Sequence, residues 1–182
     1  MVAVAALVTS VSSIAIAVHN GRIMERLVQA NSFPWMSAGF SDATFTGEDV
    51  LSLDLLNRGV GPAHEESLQV TVDGRLVTSL RELISVSLGL EHAAEAKQDL
   101  HAVNNRVRTR FIPGSQQQFV FRAPRISENA ELYDLLVKQQ NRRDVELCYC
   151  SVFQECWRVP GKWQEPEKIK ECQRDESREF MP

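Results

Sequence analysis

From Val2 to Val18 the chain carries no charged side chain, and the first is Arg22, after His19, Asn20 and Gly21. A helix rising about 1.5 Å per residue needs roughly 17 to 25 apolar residues to span hydrocarbon, so this run sits at the lower limit of a membrane span. Three readings compete: a membrane anchor over residues 1–21, a cleaved signal peptide, and a buried helix of a soluble fold. The anchor is the expectation taken forward. Ala15-Ile16-Ala17 has the small-x-small form of a cleavage site, but no basic region precedes the apolar run. Thr9, Ser10, Ser12 and Ser13 are tolerable in lipid because hydroxyls can bond back to helix carbonyls. Arg22 and Arg26 follow the run, which by the positive-inside tendency favours a cytoplasmic domain. A start upstream of Met1 would account for both the short span and the missing flank.

The remaining chain has the composition of one folded domain. It has 182 residues in all, 43% hydrophobic and 24% charged, far from the signature of disorder. Net charge is −4 with no Lys/Arg-dense run, so no footprint for a phosphate backbone exists. A short juxtamembrane helix is expected over 22–35, stopped by Pro34. Leu51, Leu53 and Leu55 alternate with Ser52 and Asp54, the period-2 pattern of a half-buried strand over Val50 to Asn57. Asn57 to Pro62 then turns, Leu68, Val70 and Val72 resume alternation, and Asp73-Gly74 closes a hairpin toward Leu76 and Val77. Ser79 and Glu82 form a capping box for a helix near 79–97. Val107, Thr109 and Phe111 run into Pro113-Gly114, and Phe119 and Phe121 run out, which predicts a hairpin. Leu132, Leu135 and Leu136 mark a second helix near 128–141, opened by Ser127. A last strand covers Val145 to Val152. The expected domain therefore spans 36–159, and the polar stretch 160–182 is a tail or wrap without a core of its own. Hairpins with two short helices imply a mainly β, α+β chain, an antiparallel immunoglobulin-like sandwich.

Cys148, Cys150, Cys156 and Cys172 all fall in the last quarter. On a strand, Cys148 and Cys150 share a face, and Phe153-Gln154-Glu155 can return the chain so that Cys156 lies alongside. The preferred pairing is Cys150 with Cys156 and Cys148 with Cys172; Cys156 with Cys172 is the near alternative. Disulfides persist in oxidising compartments, which opposes the vote of Arg22 and Arg26 and outweighs it. The spacing C-x-C-x5-C is poor for structural zinc, and no C-x-x-C redox motif occurs.

No catalytic, cofactor-binding or metal-ligating residue is assigned from the sequence. His92 with Glu91 and Glu95 lacks the His-Glu-x-x-His order and reads as a solvated helix face. His19, His64 and His101 are dispersed. Gly59-Val60-Gly61 leads into Pro62 and a strand rather than the helix of a dinucleotide fingerprint, so it reads as a turn. No Gly-x-Ser-x-Gly elbow is present. Trp35, Trp157 and Trp163 read as structural, at an interface or in the core.

Three segments carry a resemblance: Leu27-Val28-Gln29-Ala30-Asn31-Ser32-Phe33-Pro34-Trp35, Leu56-Asn57-Arg58-Gly59-Val60-Gly61-Pro62-Ala63, and Cys148-Tyr149-Cys150-Ser151-Val152-Phe153-Gln154-Glu155-Cys156-Trp157. Together they resemble uncharacterised bacterial envelope proteins with one N-terminal transmembrane helix and an immunoglobulin-like β-sandwich. Gln154 departs from the pattern, standing where such hairpins often use Gly. The resemblance implies anchoring and fold and brings no activity. The expectation is a single-pass inner-membrane protein whose periplasmic sandwich, not an enzyme, contacts an envelope protein partner and no nucleic acid. The alternatives are a small-ligand sensor with its helices over one mouth of the sandwich, and a cytoplasm-facing domain with a cysteine metal site.

Overall fold

The computed structural model describes residues 2–43, 47–89, 100–105 and 110–182. Helix α1 (Val2–Asn31) precedes β1 (Met36–Ala43), β2 (Asp49–Asn57), β3 (Ala63–Val72), β4 (Arg75–Val77) and α2 (Leu80–Ser87). Then come β5 (Val103–Asn104), β6 (Arg110–Ile112), β7 (Gln117–Pro124), α3 (Ala130–Lys138), β8 (Arg143–Ser151), β9 (Cys156–Val159) and β10 (Glu167–Ile169). The strands form two sheets, one in the order β1-β2-β7-β5 and one in the order β10-β9-β8-β3-β4, with β6 also paired to β3. Every pairing is antiparallel.

The core is the inward half of each alternation. Met36, Ala38, Phe40, Leu51, Leu53, Leu55 and Phe121 come from the first sheet, and Leu68, Val70, Val72, Val145, Leu147 and Tyr149 from the second. Each fully buried Leu, Val or Phe contributes roughly 1.5–3 kcal/mol relative to exposure. Asp73 (φ 50) and Gly74 (φ 79) both take positive φ, the type I′ geometry that a two-residue Asp-Gly hairpin demands. Ser79 caps α2 by accepting from the Glu82 N–H at 3.2 Å, while the Glu82 carboxylate accepts from the Thr78 N–H at 2.8 Å. The helix ends at Ser87, with Leu88 as its C-cap and Gly89 at φ +73, short of the expected 97; residues 90–99 lie outside the described residues. Leu83 and Ile84 of α2 and Leu132, Tyr133 and Leu136 of α3 are buried in the same core. Asn129, not Ser127, is the N-cap residue of α3, and its amide instead donates to the Leu100 and Pro124 carbonyls at 2.9 Å each.

Two expectations are corrected. Among the described residues no helix is long and apolar enough to cross a membrane, which overturns the anchor and with it the single-pass inner-membrane placement. Thr9, Ser10 and Ser13 spend their hydroxyls on the Ala6, Ala6 and Thr9 carbonyls. The helix expected over 22–35 continues from the apolar run, since α1 passes unbroken through Gly21 to Asn31.

The second correction concerns the immunoglobulin-like order, which the structure does not show. The chain crosses from one sheet to the other between β2 and β3 and again between β6 and β7, where sequence alternation suggests a turn and a hairpin. Of that expected hairpin, Phe111 lies on β6 against His64 of β3; Val107 and Thr109 lie outside the described residues. Both crossings are organised by Asn57, fully buried, whose amide donates to the Gly61, Ile112 and Pro113 carbonyls at 2.8, 3.0 and 3.2 Å. Its carbonyl oxygen accepts from the Trp35 and Gly59 N–H groups. A Cβ on Gly61 would lie 1.8 Å from the Ser32 carbonyl oxygen, so the crossing needs glycine there for backbone to meet backbone.

The stretch 160–182 wraps the domain. It adds β10 and then reaches along the edge of β3 that β6 and β4 leave open. The Phe180 N–H donates to the Leu68 carbonyl at 2.9 Å, the Leu68 N–H donates to the Glu179 carboxylate at 2.9 Å, and the Met181 N–H donates to the Thr78 carbonyl at 2.9 Å. Phe180 thereby enters the core and meets Phe121 at 6.3 Å between ring centroids.

Candidate functional site

Two features stand where the end of α1 meets the last hairpin: a cluster of four sulfurs and an open groove. The cluster follows from strand geometry. Leu147 and Tyr149 of β8 point into the core, so Cys148 and Cys150 point outward, and Cys156 of β9 lies in register opposite Cys150. Cys150 is bonded to Cys156 and Cys148 to Cys172, bringing together all four cysteines singled out from sequence. Both bridges lie on the outer side of one sheet instead of crossing between sheets as the immunoglobulin bridge does. Because every sulfur is in a disulfide, none presents the thiolate that a metal ion requires. Gln154 takes φ +62 in the hairpin turn, the left-handed region in which glycine is cheapest. The two bridges touch, with Cys150 Sγ 3.8 Å from Cys172 Sγ.

His64 of β3 is in register opposite Cys150 and holds the Glu66 carboxylate through Nδ1 at 2.6 Å. Its ring also meets the exposed Phe111 ring at 4.8 Å. The other histidines do not join it: His19 sits on exposed α1, His101 precedes β5, and His92, with Glu91 and Glu95, lies outside the described residues.

The groove, of about 440 Å³, is lined by Arg26, Gln29, Ala30, Phe33, Glu155, Trp157 and Lys168. Trp157 forms its wall. It stacks on Tyr149 at 5.6 Å, receives Phe33 edge-on at 5.1 Å, and carries the Lys168 ammonium 5.8 Å from its ring. Lys168 also donates to the Glu155 carboxylate at 2.6 Å. Met24 (60%), Leu27 (51%) and Val28 (48%) are exposed on the face of α1 turned away from the groove-lining Arg26, Gln29 and Ala30. The three tryptophans thus part company: Trp157 is buried, Trp35 is half-buried against Phe33, and Trp163 lies over Gly39, where a Cβ would stand 2.2 Å from its ring.

Two buried ionisable groups support the arrangement. The Tyr149 hydroxyl donates to the Pro34 carbonyl at 3.4 Å and accepts from the Met36 N–H at 3.3 Å, tying β1 to β8. Burial raises its pKa to about 12. Arg143, 1% exposed, donates through Nη2 to the Leu136 carbonyl at 2.8 Å and lies 4.8 Å over the Phe40 ring. Its Nε and Nη1 have no hydrogen-bond partner among the described residues, and burial lowers its pKa to about 10. Sequence reading missed Arg143, Asn57 and Phe180, since a lone polar or aromatic residue carries no period.

Comparison of the chain with protein-family models, with curated proteins and with solved structures finds no match.

Proposed function

We propose that this protein is a non-enzymatic binding module of an oxidising compartment that receives an envelope protein partner along the C-terminal half of α1 and the adjoining groove. The observation that carries the reading is the open groove walled by Phe33 and Trp157 and rimmed by Arg26 and Gln29 of α1. Aromatic side chains set in a groove with a polar rim are the usual anchors of a protein interface. Arg26 and Gln29 at the rim offer hydrogen bonds that fix orientation, and the rim cation favours a partner segment with a carboxylate. The two bridges support the compartment, since such bonds persist where thiols are oxidised.

A photo-crosslinking residue at position 29, expressed in the native host, tests this directly. The expected result is one discrete heterologous adduct, lost when Arg26→Glu and Lys168→Glu are added. No adduct, or an adduct of two copies of this chain alone, would contradict the reading.

A further inference from the structure

The contact between the two bridges points beyond partner binding. Three of the sulfurs, those of Cys150, Cys156 and Cys172, lie within 4.8 Å of one another, and the fourth, that of Cys148, is bonded to Cys172 at 2.03 Å. Two static staples could sit anywhere on the sheet; here the tail sulfur is bonded to one strand residue and in van der Waals contact, at 3.8 Å, with the next residue on the same face. Cys148 and Cys150 are two residues apart on β8, about 7 Å along the strand. Cys172 is therefore within reach of either one with little movement of the backbone.

We propose that the four cysteines form a thiol–disulfide exchange unit, in which reducing equivalents accepted by the Cys150–Cys156 bridge pass through Cys150 to the Cys148–Cys172 bridge. Each bridge joins one half-buried cysteine, Cys150 or Cys172, to one buried cysteine, Cys156 or Cys148, and the hairpin tip beside the first bridge, Val152 and Phe153, is exposed. The co-reactant is a dithiol, protein or small molecule. Its first thiolate attacks a sulfur of Cys150–Cys156 to give a mixed disulfide, and its second thiolate resolves that bond. The dithiol leaves as a disulfide, and Cys150 and Cys156 are left as thiols. Cys150, having lost its proton to solvent, attacks Cys172 Sγ; the Cys150–Cys172 bond forms, the Cys148–Cys172 bond breaks, and Cys148 departs as a thiolate that takes up a proton. The tail remains tethered throughout, its anchor moved two residues along β8 while the hairpin is unlocked.

The test maps bridges in the full chain. Native protein is treated with limiting dithiothreitol, quenched in acid, alkylated and digested for mass spectrometry. Among species that retain one bridge, a Cys150–Cys172 bond is expected beside Cys148–Cys172, the two within about tenfold of each other. In Cys156→Ser, whose Cys150 has lost its hairpin partner, the free thiol is expected to be shared between Cys148 and Cys150. A one-bridge population holding only Cys148–Cys172 or only Cys150–Cys156 overturns the proposal. So does an equal yield of Cys148–Cys156, which would show that the chain unfolds and scrambles. If Cys156→Ser fails to fold, the native-chain experiment decides alone.

Discussion

The two ends of this chain differ in a way that composition alone would invert. Its first thirty residues are among the most apolar, yet α1 leaves Ile14 (65%) and Ile16 (60%) in the open. Its last twenty-odd are polar and charged, yet they are bonded to β8 through Cys172, laid over β1 through Trp163 and inserted into the core through Phe180. Hydrophobicity drives burial only where a complementary surface exists. A polar segment can be held by a few well-placed groups, one aromatic ring and one covalent bond among them.

Breaking the polar end should cost most. Phe180→Ala removes a ring that closes the core, and about 3–5 kcal/mol of stability is expected to be lost in urea denaturation. A loss below 1 kcal/mol would mean that the tail rests on the core without filling it. The double variant Cys148→Ser with Cys172→Ser opens a bridge of sequence separation 24. By the chain-entropy relation that should cost about 3 kcal/mol, again read from denaturation.

Next comes pH. Tyr149 has its folded pKa raised to about 12 by burial, against an ordinary value of 10.0. The fold thus favours the protonated phenol; this stabilisation is complete below pH 10 and is lost as pH rises through 12, an effect of about 2–3 kcal/mol. Tyr133, raised to about 12 by burial and by Asp49 and Asp42, acts in the same direction. Arg143 opposes them, because a base whose folded pKa is lowered gains relative stability as pH rises above about 10. Phenolate absorbance should therefore stay low at pH 10.5 in the folded protein and jump on adding denaturant. The smallest effect belongs to the apolar end: Ile14→Gln with Ile16→Gln should change stability by no more than about 0.5 kcal/mol, since neither packs on the sandwich. A large loss there would show that α1 is covered within the fold.

The same contrast explains what could be read from sequence. Strands β2, β3, β7 and β8 announced themselves because Leu51-Leu53-Leu55, Leu68-Val70-Val72 and Leu147-Tyr149 alternate strongly. Spacing by two also put Cys148 and Cys150 on one face. Strand β1 escaped notice because its outward positions, Ser37, Gly39 and Ser41, and its inward Ala38 are small, a choice that makes sense only once Trp163 is seen lying over Gly39. The crossings between sheets escaped because Asn57-Arg58-Gly59-Val60-Gly61-Pro62 has the residues of a hairpin turn, and only the long-range bonds of Asn57 to Ile112 and Pro113 distinguish the two. The charge-free run suggested a span because apolar length was legible and its surroundings were not. The groove was not legible at all, since Arg26, Phe33, Trp157 and Lys168 come together only through the packing of β9 and β10 against the end of α1.

Hydrogen–deuterium exchange followed by peptide mass spectrometry tests the contrast most directly. Peptides bearing Phe180 and Met181, whose amides donate to the Leu68 and Thr78 carbonyls, should exchange as slowly as those of β3 and β8, while α1 up to Val28 exchanges far sooner. A tail that exchanges as fast as α1, or an α1 as protected as β8, would contradict the account.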